Sequence, residues 1–184
     1  DARDGGAGWI HRGLVSRAEG GSLFLDEVAE LDYAAQSSLL RFIESGVFRS
    51  LGADREMSAD VRVIASSNRD LLEEVRAGRL REDLYYRLQV LPIRLPPLRE
   101  RLDDIPNLAT TILKRLATET GKTFAALSKQ SEARLVSYAW PGNVRQLENM
   151  LRWIATMLIG PDINVDIINE AIAQFDSQPE DSRA

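Results

Sequence analysis

The sequence contains no cysteine and a single histidine, His11, among its 184 residues. The lack of cysteine excludes disulfides, thiolate metal sites and cysteine nucleophiles, and it is compatible with a reducing compartment. With one histidine, a multi-histidine metal site or a serine–histidine relay is poorly supported.

Basic residues are too few for a chain that coats nucleic acid. There are 23 Lys and Arg against 28 Asp and Glu, so the formal net charge is -5. Anionic partners require a basic footprint. No apolar run reaches the roughly 20 residues that cross a bilayer. We therefore expect neither a DNA-binding surface nor a membrane partner in this chain.

The first half of the chain alternates short apolar runs with helical patterns. Residues 23–25 are continuously apolar and VRVIASS (61–67) is β-branched, which predicts two buried strands of a parallel sheet. A helix over 34–45 has Asp32 as its N-cap and Gly46 at its end. Further predictions are a hairpin arm over 47–52 with a polar connection over 53–59, helices over 70–77 and 81–88, and a strand over 90–96.

The second half has only helical patterns. After a charged linker, Asp103 or Asp104 can cap the first of four helices, over 105–119, 129–139, 143–158 and 165–175. Two apolar stripes predict its core: Leu108, Ile112, Leu113 and Leu116, and Leu147, Met150, Leu151 and Ile154. The predicted fold is α/β with a parallel sheet over 1–98, then a small all-α subdomain over 99–175 and a disordered tail over 176–184.

Two adjacent acids, Asp26 and Glu27, end the first predicted strand. The carboxyl edge of a parallel sheet is where open α/β folds bind ligands. Adjacent strand residues point to opposite faces, so the two carboxylates should do different work. One can hold Mg²⁺ or its water shell, and the other can deprotonate an attacking water, as in a Walker B element. The alternative is that both acids only cap the next loop.

Small polar residues follow the second predicted strand. Ser67 and Asn68 can hydrogen-bond a phosphate or the attacking water. The alternative is an ordinary turn, because serine and asparagine favour turns for local backbone reasons.

Two arginines, Arg81 and Arg87, lie six residues apart in REDLYYRL. On a helix this spacing is a rotation of roughly 240°, so their guanidiniums are predicted to face different ways. They could serve two sites, or one site and a partner subunit, since arginine suits phosphate recognition. The alternative is surface pairing with Glu82, Asp83 or nearby acids.

A fourth motif, WPGNVRQLEN, places Arg145 in the first turn of a predicted helix that Asn143 can cap. A cation at the N-terminal end of a helix is unfavourable because it opposes the helix dipole. A phosphate bound there would explain why an arginine occupies this position. Pairing with Glu148 is the alternative.

Five segments in this order closely resemble the central AAA+ ATPase domain of bacterial enhancer-binding proteins, the NtrC-like activators of sigma-54 RNA polymerase. They are GGSLFLDE, VRVIASSN, REDLYYRL, LPPLRER with DDIP, and WPGNVRQLEN, and the resemblance covers about residues 13–160. It implies a parallel-sheet core of the P-loop type, whose N-terminal part would precede this chain, and a small all-α lid.

The resemblance also implies roles at the strand ends. Asp26 is similar to the Walker B aspartate that coordinates Mg²⁺ and water, and Glu27 to the glutamate that activates water. Ser67 and Asn68 resemble the sensor I position, which reports on the γ-phosphate of ATP.

Three arginines take family roles by the same resemblance. Arg81 and Arg87 are similar to the arginine-finger pair, which reaches the nucleotide of a neighbouring subunit. Arg145 resembles the sensor II arginine of the lid. The family implies a cytoplasmic ring, usually a hexamer, that hydrolyses ATP with Mg²⁺ and remodels the closed complex of sigma-54 RNA polymerase. It binds DNA only through a separate C-terminal domain.

The chain departs from the family pattern at two places. The phosphate-binding loop, of the form G-x-x-x-x-G-K-S/T, is absent, and we expect its place to be before Asp1 and the chain alone to be inactive. The sigma-contacting slot over 2–7 has ARDGGA, with Asp4 and Gly5 where the family has Phe and Thr. An alternative function is therefore a degenerate AAA+ regulator or assembly module that does not engage sigma-54.

Overall fold

A computed structural model describes residues 13–49, 55–158 and 160–177. The chain divides into two compact units between Ile93 and Arg94. All described strands belong to the first unit, and the described elements of the second unit are all helices. The predicted order, an α/β part followed by a helical part, is confirmed. The slot with Asp4 and Gly5 lies outside the described residues, as does most of the predicted tail.

The described residues of the first unit form four α-helices and four strands, with a 3-10 turn at Val28–Glu30. Its elements are α1 Leu14–Arg17, β1 Ser22–Leu25, α2 Tyr33–Ser45, β2 Val47–Arg49, β3 Glu56–Ser58, β4 Arg62–Ala65, α3 Leu71–Arg76 and α4 Glu82–Leu88. The predicted caps of α2 are confirmed: Asp32 Oδ1 accepts the Ala35 N–H at 2.7 Å, and Gly46 has a φ of 68°.

Strands β1 and β4 pair in parallel, as predicted, with Leu25 opposite Ala65. The prediction that both strands are buried is wrong for the described residues. Burial alternates along each strand, and Phe24 and Ile64, which are paired neighbours, are 59% and 43% exposed. Apolar runs predict strands, but burial of both faces also requires a covering element, and no described element covers this face.

The hairpin also differs from its prediction. β3 lies inside the predicted polar connection and pairs antiparallel with β2, with Phe48 opposite Met57. β3 is polar, so no apolar pattern marks it as a strand in the sequence. Its residue Glu56 forms ion pairs with Arg41 at 2.8 Å and with Arg49 at 3.5 Å. A cross-strand charge pair thus takes the place of an apolar pattern.

The predicted strand over 90–96 is not a strand. Its four large apolar side chains are 72–83% exposed: Val90, Leu91, Ile93 and Leu95. Pro92 and Pro96 have no N–H for a ladder, and no described strand pairs with this segment. An apolar pattern without a pairing partner therefore remains extended and unpaired.

The second unit is a helical bundle. After short 3-10 turns at Leu98–Glu100 and Leu102–Asp104 come α5 Ile105–Thr120, α6 Lys129–Ser137, α7 Asn143–Met157 and α8 Val165–Asp176. The two predicted apolar stripes enter its core, although Leu108 is only partly buried. No described helix has the length and apolar content needed to cross a membrane.

Two predicted caps differ in the structure. Asp104, one of the two predicted alternatives, is at the N-cap position of α5, but its side chain makes no capping hydrogen bond. α7 begins after Gly142 rather than after Asn143, whose Oδ1 instead accepts the Leu98 N–H at 2.9 Å. Gln146 Oε1 accepts the N–H of Gly142 at 3.0 Å, so the glutamine ties the turn to the first residues of the helix. A tertiary contact has taken the asparagine that local preference assigns to the cap.

Candidate functional site

The ends of β1 and β4 form a small polar edge. Beyond the Leu25–Ala65 pair, the Ser66 N–H donates to Leu25 O, and the Val28 N–H donates to Ser66 O, both at 2.9 Å. The chain between these contacts is the Asp26–Glu27 turn. The two acids therefore follow the strand rather than ending it, and main-chain hydrogen bonds to the neighbouring strand fix their position.

Asp26 is exposed and makes one side-chain hydrogen bond within the described residues. Its Oδ1 accepts the Ser66 hydroxyl at 2.5 Å. This length is typical of a hydroxyl that donates to a charged carboxylate. No described donor contacts Oδ2, so that oxygen is available for a ligand.

Glu27 has a left-handed backbone, with φ 53° and ψ 52°. Its Oε2 accepts the Asn68 N–H at 3.0 Å, and its own N–H lies 3.4 Å from Ser66 Oγ. Left-handed backbone in a residue other than glycine is costly and is concentrated at functional sites. Asp26 and Glu27 do bind different partners, but a turn separates them, not the alternation of a strand.

The side chains of Ser67 and Asn68 differ in whether they are already hydrogen-bonded. The Ser67 hydroxyl donates to Arg69 O and accepts the Arg69 N–H, both at 3.1 Å, which is the turn that the alternative interpretation predicts. The Asn68 carboxamide is exposed and has no hydrogen bond to a described residue. Of the two, Asn68 is therefore the one able to contact a ligand without breaking a hydrogen bond.

Ser66 contacts both acids and was not identified from the sequence. The signal was available in the parallel register, because a pair at Leu25 and Ala65 brings Asp26 and Ser66 side by side. Without the register, Ser66 is one of two equivalent serines.

The strand ends offer one carboxylate that suits a magnesium ion. Mg²⁺ is usually held by one or two carboxylates with waters and substrate phosphates, not by an all-protein cage. The described residues contain no group of three or more acidic or histidine side chains that could hold a metal. The exposed Asp26 carboxylate, with one oxygen free of described donors, is the ligand such a shared site requires.

Arg81 precedes α4 and has an extended backbone, so it is not on the helix. Its Nε and Nη2 donate to Asp83 at 3.0 and 2.8 Å, and its Nη1 donates to Ser37 Oγ at 3.2 Å. The hydrogen bond between the two side chains lowers the pKa of Asp83 and raises the pKa of Arg81.

Arg87 is on α4 and pairs with Glu44 of α2 at 3.2 Å. Ser37 and Glu44 are seven residues apart, so they lie on the same side of α2. The prediction that the guanidiniums of Arg81 and Arg87 face different ways is therefore wrong, since both contact one helix. The six-residue spacing does not correspond to a rotation about one helix axis, because Arg81 lies outside α4.

A buried glutamine, Gln36, connects α2 to the segment before α4. Its Nε2 donates to the carbonyls of Leu31 and Arg79, both at 2.8 Å, and its Oε1 accepts the Arg81 N–H at 3.0 Å. It is fully buried. Next to Arg81, a surface depression of about 590 Å³ is lined by Tyr33, Arg81, Glu82, Asp83 and Tyr86.

Arg145 belongs to the helical unit, in the first turn of α7. It is exposed, and no described residue accepts a hydrogen bond or forms an ion pair with it. The alternative partner, Glu148, pairs instead with Arg115 at 2.6 Å and Arg152 at 3.4 Å. Arg145 is therefore available for a ligand.

Comparison with known families covers nearly the whole chain with two descriptions. Residues 5–94 match the sigma-54 interaction domain, and residues 99–184 match the AAA+ ATPase lid domain. The first match includes both strand ends and both arginines near α2. The second includes Arg145.

Individual relatives agree with this assignment. The regulatory protein LuxO of Vibrio parahaemolyticus is 44% identical over 178 residues, which are 97% of this chain and 39% of that protein. The response regulator protein PilR of Pseudomonas aeruginosa is 51% identical over 146 residues, 79% of this chain and 33% of that protein. The match thus spans between a third and two fifths of the length of these curated relatives.

A solved structure gives the same picture. NtrX from Brucella abortus in complex with ADP has a TM-score of 0.76 and 28% identity to this chain, covering 92% of this chain and 42% of that one. The chain therefore belongs to the family of AAA+ sigma-54 interaction domains, followed by its AAA+ lid, that is found in bacterial enhancer-binding proteins.

Proposed function

We propose that this chain is part of a cytoplasmic ATPase domain of a sigma-54-dependent transcription activator. That domain hydrolyses ATP with Mg²⁺. One observation carries the proposal: the β1 and β4 ends bring an exposed aspartate, a glutamate and a free asparagine carboxamide to one edge. The family assignment supports it, and the activity of the whole protein rests on that assignment.

At this edge each side chain has a separate task. Bound Mg²⁺ would neutralise phosphate charge, and Asp26 would hold it through the oxygen that Ser66 leaves free. Glu27 Oε2 is anchored by the Asn68 N–H, and Oε1, which has no described donor, can accept a proton from water. The Asn68 carboxamide can donate to a phosphate oxygen.

The arginines support action between subunits. In the proposed ring, Arg81 and Arg87 donate to the nucleotide of a neighbouring subunit, and Arg145 supplies a further guanidinium to a phosphate. Arg81 and Arg87 are held by exposed acids, Asp83 and Glu44. Exposed ion pairs are worth little, so a phosphate can replace either acid.

The test is Glu27→Gln in the full-length protein, which keeps the shape of the side chain and removes its basicity. ATP binding should persist while turnover falls by at least a factor of 100, as expected from the loss of a general base. Glu30→Gln is the matched control, since the exposed Glu30 side chain pairs only with Arg69 among the described residues. Equal turnover in Glu27→Gln and the wild type would overturn the proposal.

A second candidate function rests on Asp4 and Gly5, which occupy the slot for the sigma-contacting Phe and Thr. An exposed Phe buries apolar area on a partner and an Asp does not, so this candidate is a degenerate AAA+ regulator or assembly module that does not engage sigma-54. The discriminating measurement is binding of the full-length protein to purified sigma-54 in the presence of ADP and a metal fluoride. A stable complex eliminates this candidate, and ATP hydrolysis without a complex favours it.

A further inference from the structure

Ser66 is placed between the two strand-end acids by its main chain and its side chain independently. Its N–H and carbonyl bond Leu25 and Val28, which fixes the residue against the β1 end. Its hydroxyl donates to Asp26 Oδ1 at 2.5 Å and lies 3.4 Å from the Glu27 N–H.

From this geometry we infer that Ser66 is a positioning residue for the magnesium ligand Asp26. The inference rests on the proposed function and adds a residue to it. The role belongs to Ser66 and not to Ser67, whose hydroxyl bonds only Arg69 among the described residues.

The physical reason is the freedom of an aspartate side chain. The terminal torsion of aspartate is broad, so an exposed carboxylate has no fixed orientation of its own. The Ser66 hydroxyl has one proton and donates it in a hydrogen bond to Oδ1, which leaves Oδ2 as the ligand oxygen. Partners that orient a metal ligand in this way typically change metal affinity 10- to 100-fold when removed.

The contribution of the hydroxyl can be separated from that of the fold. The main-chain bonds of Ser66 do not involve its side chain, so Ser66→Ala keeps the strand pairing. It removes the short bond to Asp26 and the longer contact of the hydroxyl oxygen with the Glu27 N–H. Ser66→Thr keeps a hydroxyl at the same atom, and threonine is well suited to a strand end. Ser38→Ala is the matched control, because the Ser38 hydroxyl bonds only Ala34 O within its own helix.

The experiment uses the full-length protein with ADP and Mn²⁺, with bound Mn²⁺ measured by electron paramagnetic resonance. Ser66→Ala should weaken Mn²⁺ binding by about tenfold. Ser66→Thr should remain within about twofold of the wild type, as should Ser38→Ala. The melting temperature of Ser66→Ala without ligand should match that of the wild type.

The outcomes separate this inference from the proposed function. Unchanged Mn²⁺ affinity in Ser66→Ala overturns the role of Ser66 and leaves the proposed function intact. Equal weakening in Ser66→Thr and Ser66→Ala also overturns it, because the hydroxyl is then not the cause. No Mn²⁺ and ADP binding by the wild-type protein overturns both.

Discussion

The side-chain oxygen of Gln36 accepts the main-chain N–H of Arg81 at 3.0 Å, and this contact joins the buried side of α2 to the start of α4. The amide of the same side chain donates to two carbonyls, so every described polar atom of the carboxamide is used. A fully buried polar group is tolerated only when it is satisfied in this way. Gln36 thereby fixes the backbone from which the Arg81 guanidinium extends.

Replacement of Gln36 by leucine should destabilise the first unit. It preserves the volume but leaves two carbonyls and one N–H without a partner, and each costs roughly 1–3 kcal/mol when buried. We expect a fall of about 3 kcal/mol in the free energy of unfolding, measured by urea denaturation. Gln89→Leu, at an exposed position after α4, should change it by less than about 0.5 kcal/mol. Similar values for the two variants would contradict the buried role.

Mixed rings test whether the arginines act between subunits. In the full-length protein, Arg81→Ala and Arg87→Ala should each reduce turnover with ATP still bound. Mixing either variant with Glu27→Gln should restore part of the activity, because some interfaces then pair an intact arginine with an intact Glu27. A mixture of Arg81→Ala with Arg87→Ala should show no gain, since every subunit lacks one arginine. Absence of rescue in the first mixture would count against action in trans.

The pair between Arg87 and Glu44 predicts a restraint on turnover. Their contact at 3.2 Å competes with any phosphate that Arg87 binds. Exposed ion pairs are worth up to about 1 kcal/mol, so Glu44→Gln should raise kcat/KM for ATP by no more than about fivefold. Glu56→Gln is the control, because Glu56 pairs with Arg41 and Arg49 at the hairpin instead. A lower kcat/KM in Glu44→Gln would show that the pair assists Arg87.

Stability of the first unit should depend on pH through Glu74. This glutamate is buried and takes two hydrogen bonds from Arg79, at 2.6 and 2.8 Å, which lower its pKa. A lowered pKa means that the folded state holds fewer protons than the unfolded one. The stabilisation is therefore present above the ordinary pKa of about 4.5 and is lost as the pH falls through the folded value.

Urea denaturation at pH 7 and at pH values below 4.5 tests this dependence. Glu74→Gln should be much less stable than the wild type at pH 7, and the difference should shrink as the solution becomes more acidic. Glu73→Gln is the neighbouring control, because the Glu73 side chain is exposed and has no described partner. A difference between Glu74→Gln and the wild type that is independent of pH would refute the assignment.

Local signals predicted most helices correctly. The aspartate and glycine at the ends of α2 and the spacing of Leu147 and Leu151 each act within a few residues of their effect. Such interactions are contained in a short stretch of sequence, which is why they can be recognised there.

Long-range contacts were the part that sequence patterns missed. Ser66 and Gln36 act on residues about 40 positions away, and their importance depends on a strand register and on a buried turn. The apolar pattern over 90–96 predicts a strand that is not formed for the same reason, since a strand exists only when a partner pairs with it. Local preference predicts Asn143 as a helix cap, but its side chain accepts a hydrogen bond from the Leu98 N–H instead.

The left-handed backbone at Glu27 means that this position is a compromise between durability and activity. An ordinary residue pays about 1–2 kcal/mol for that conformation, and glycine would adopt it freely. Glycine, however, has no carboxylate to place beside Asn68. Selection for fold stability alone would therefore favour replacing Glu27. Its presence in a strained turn is what a trade-off between function and stability predicts.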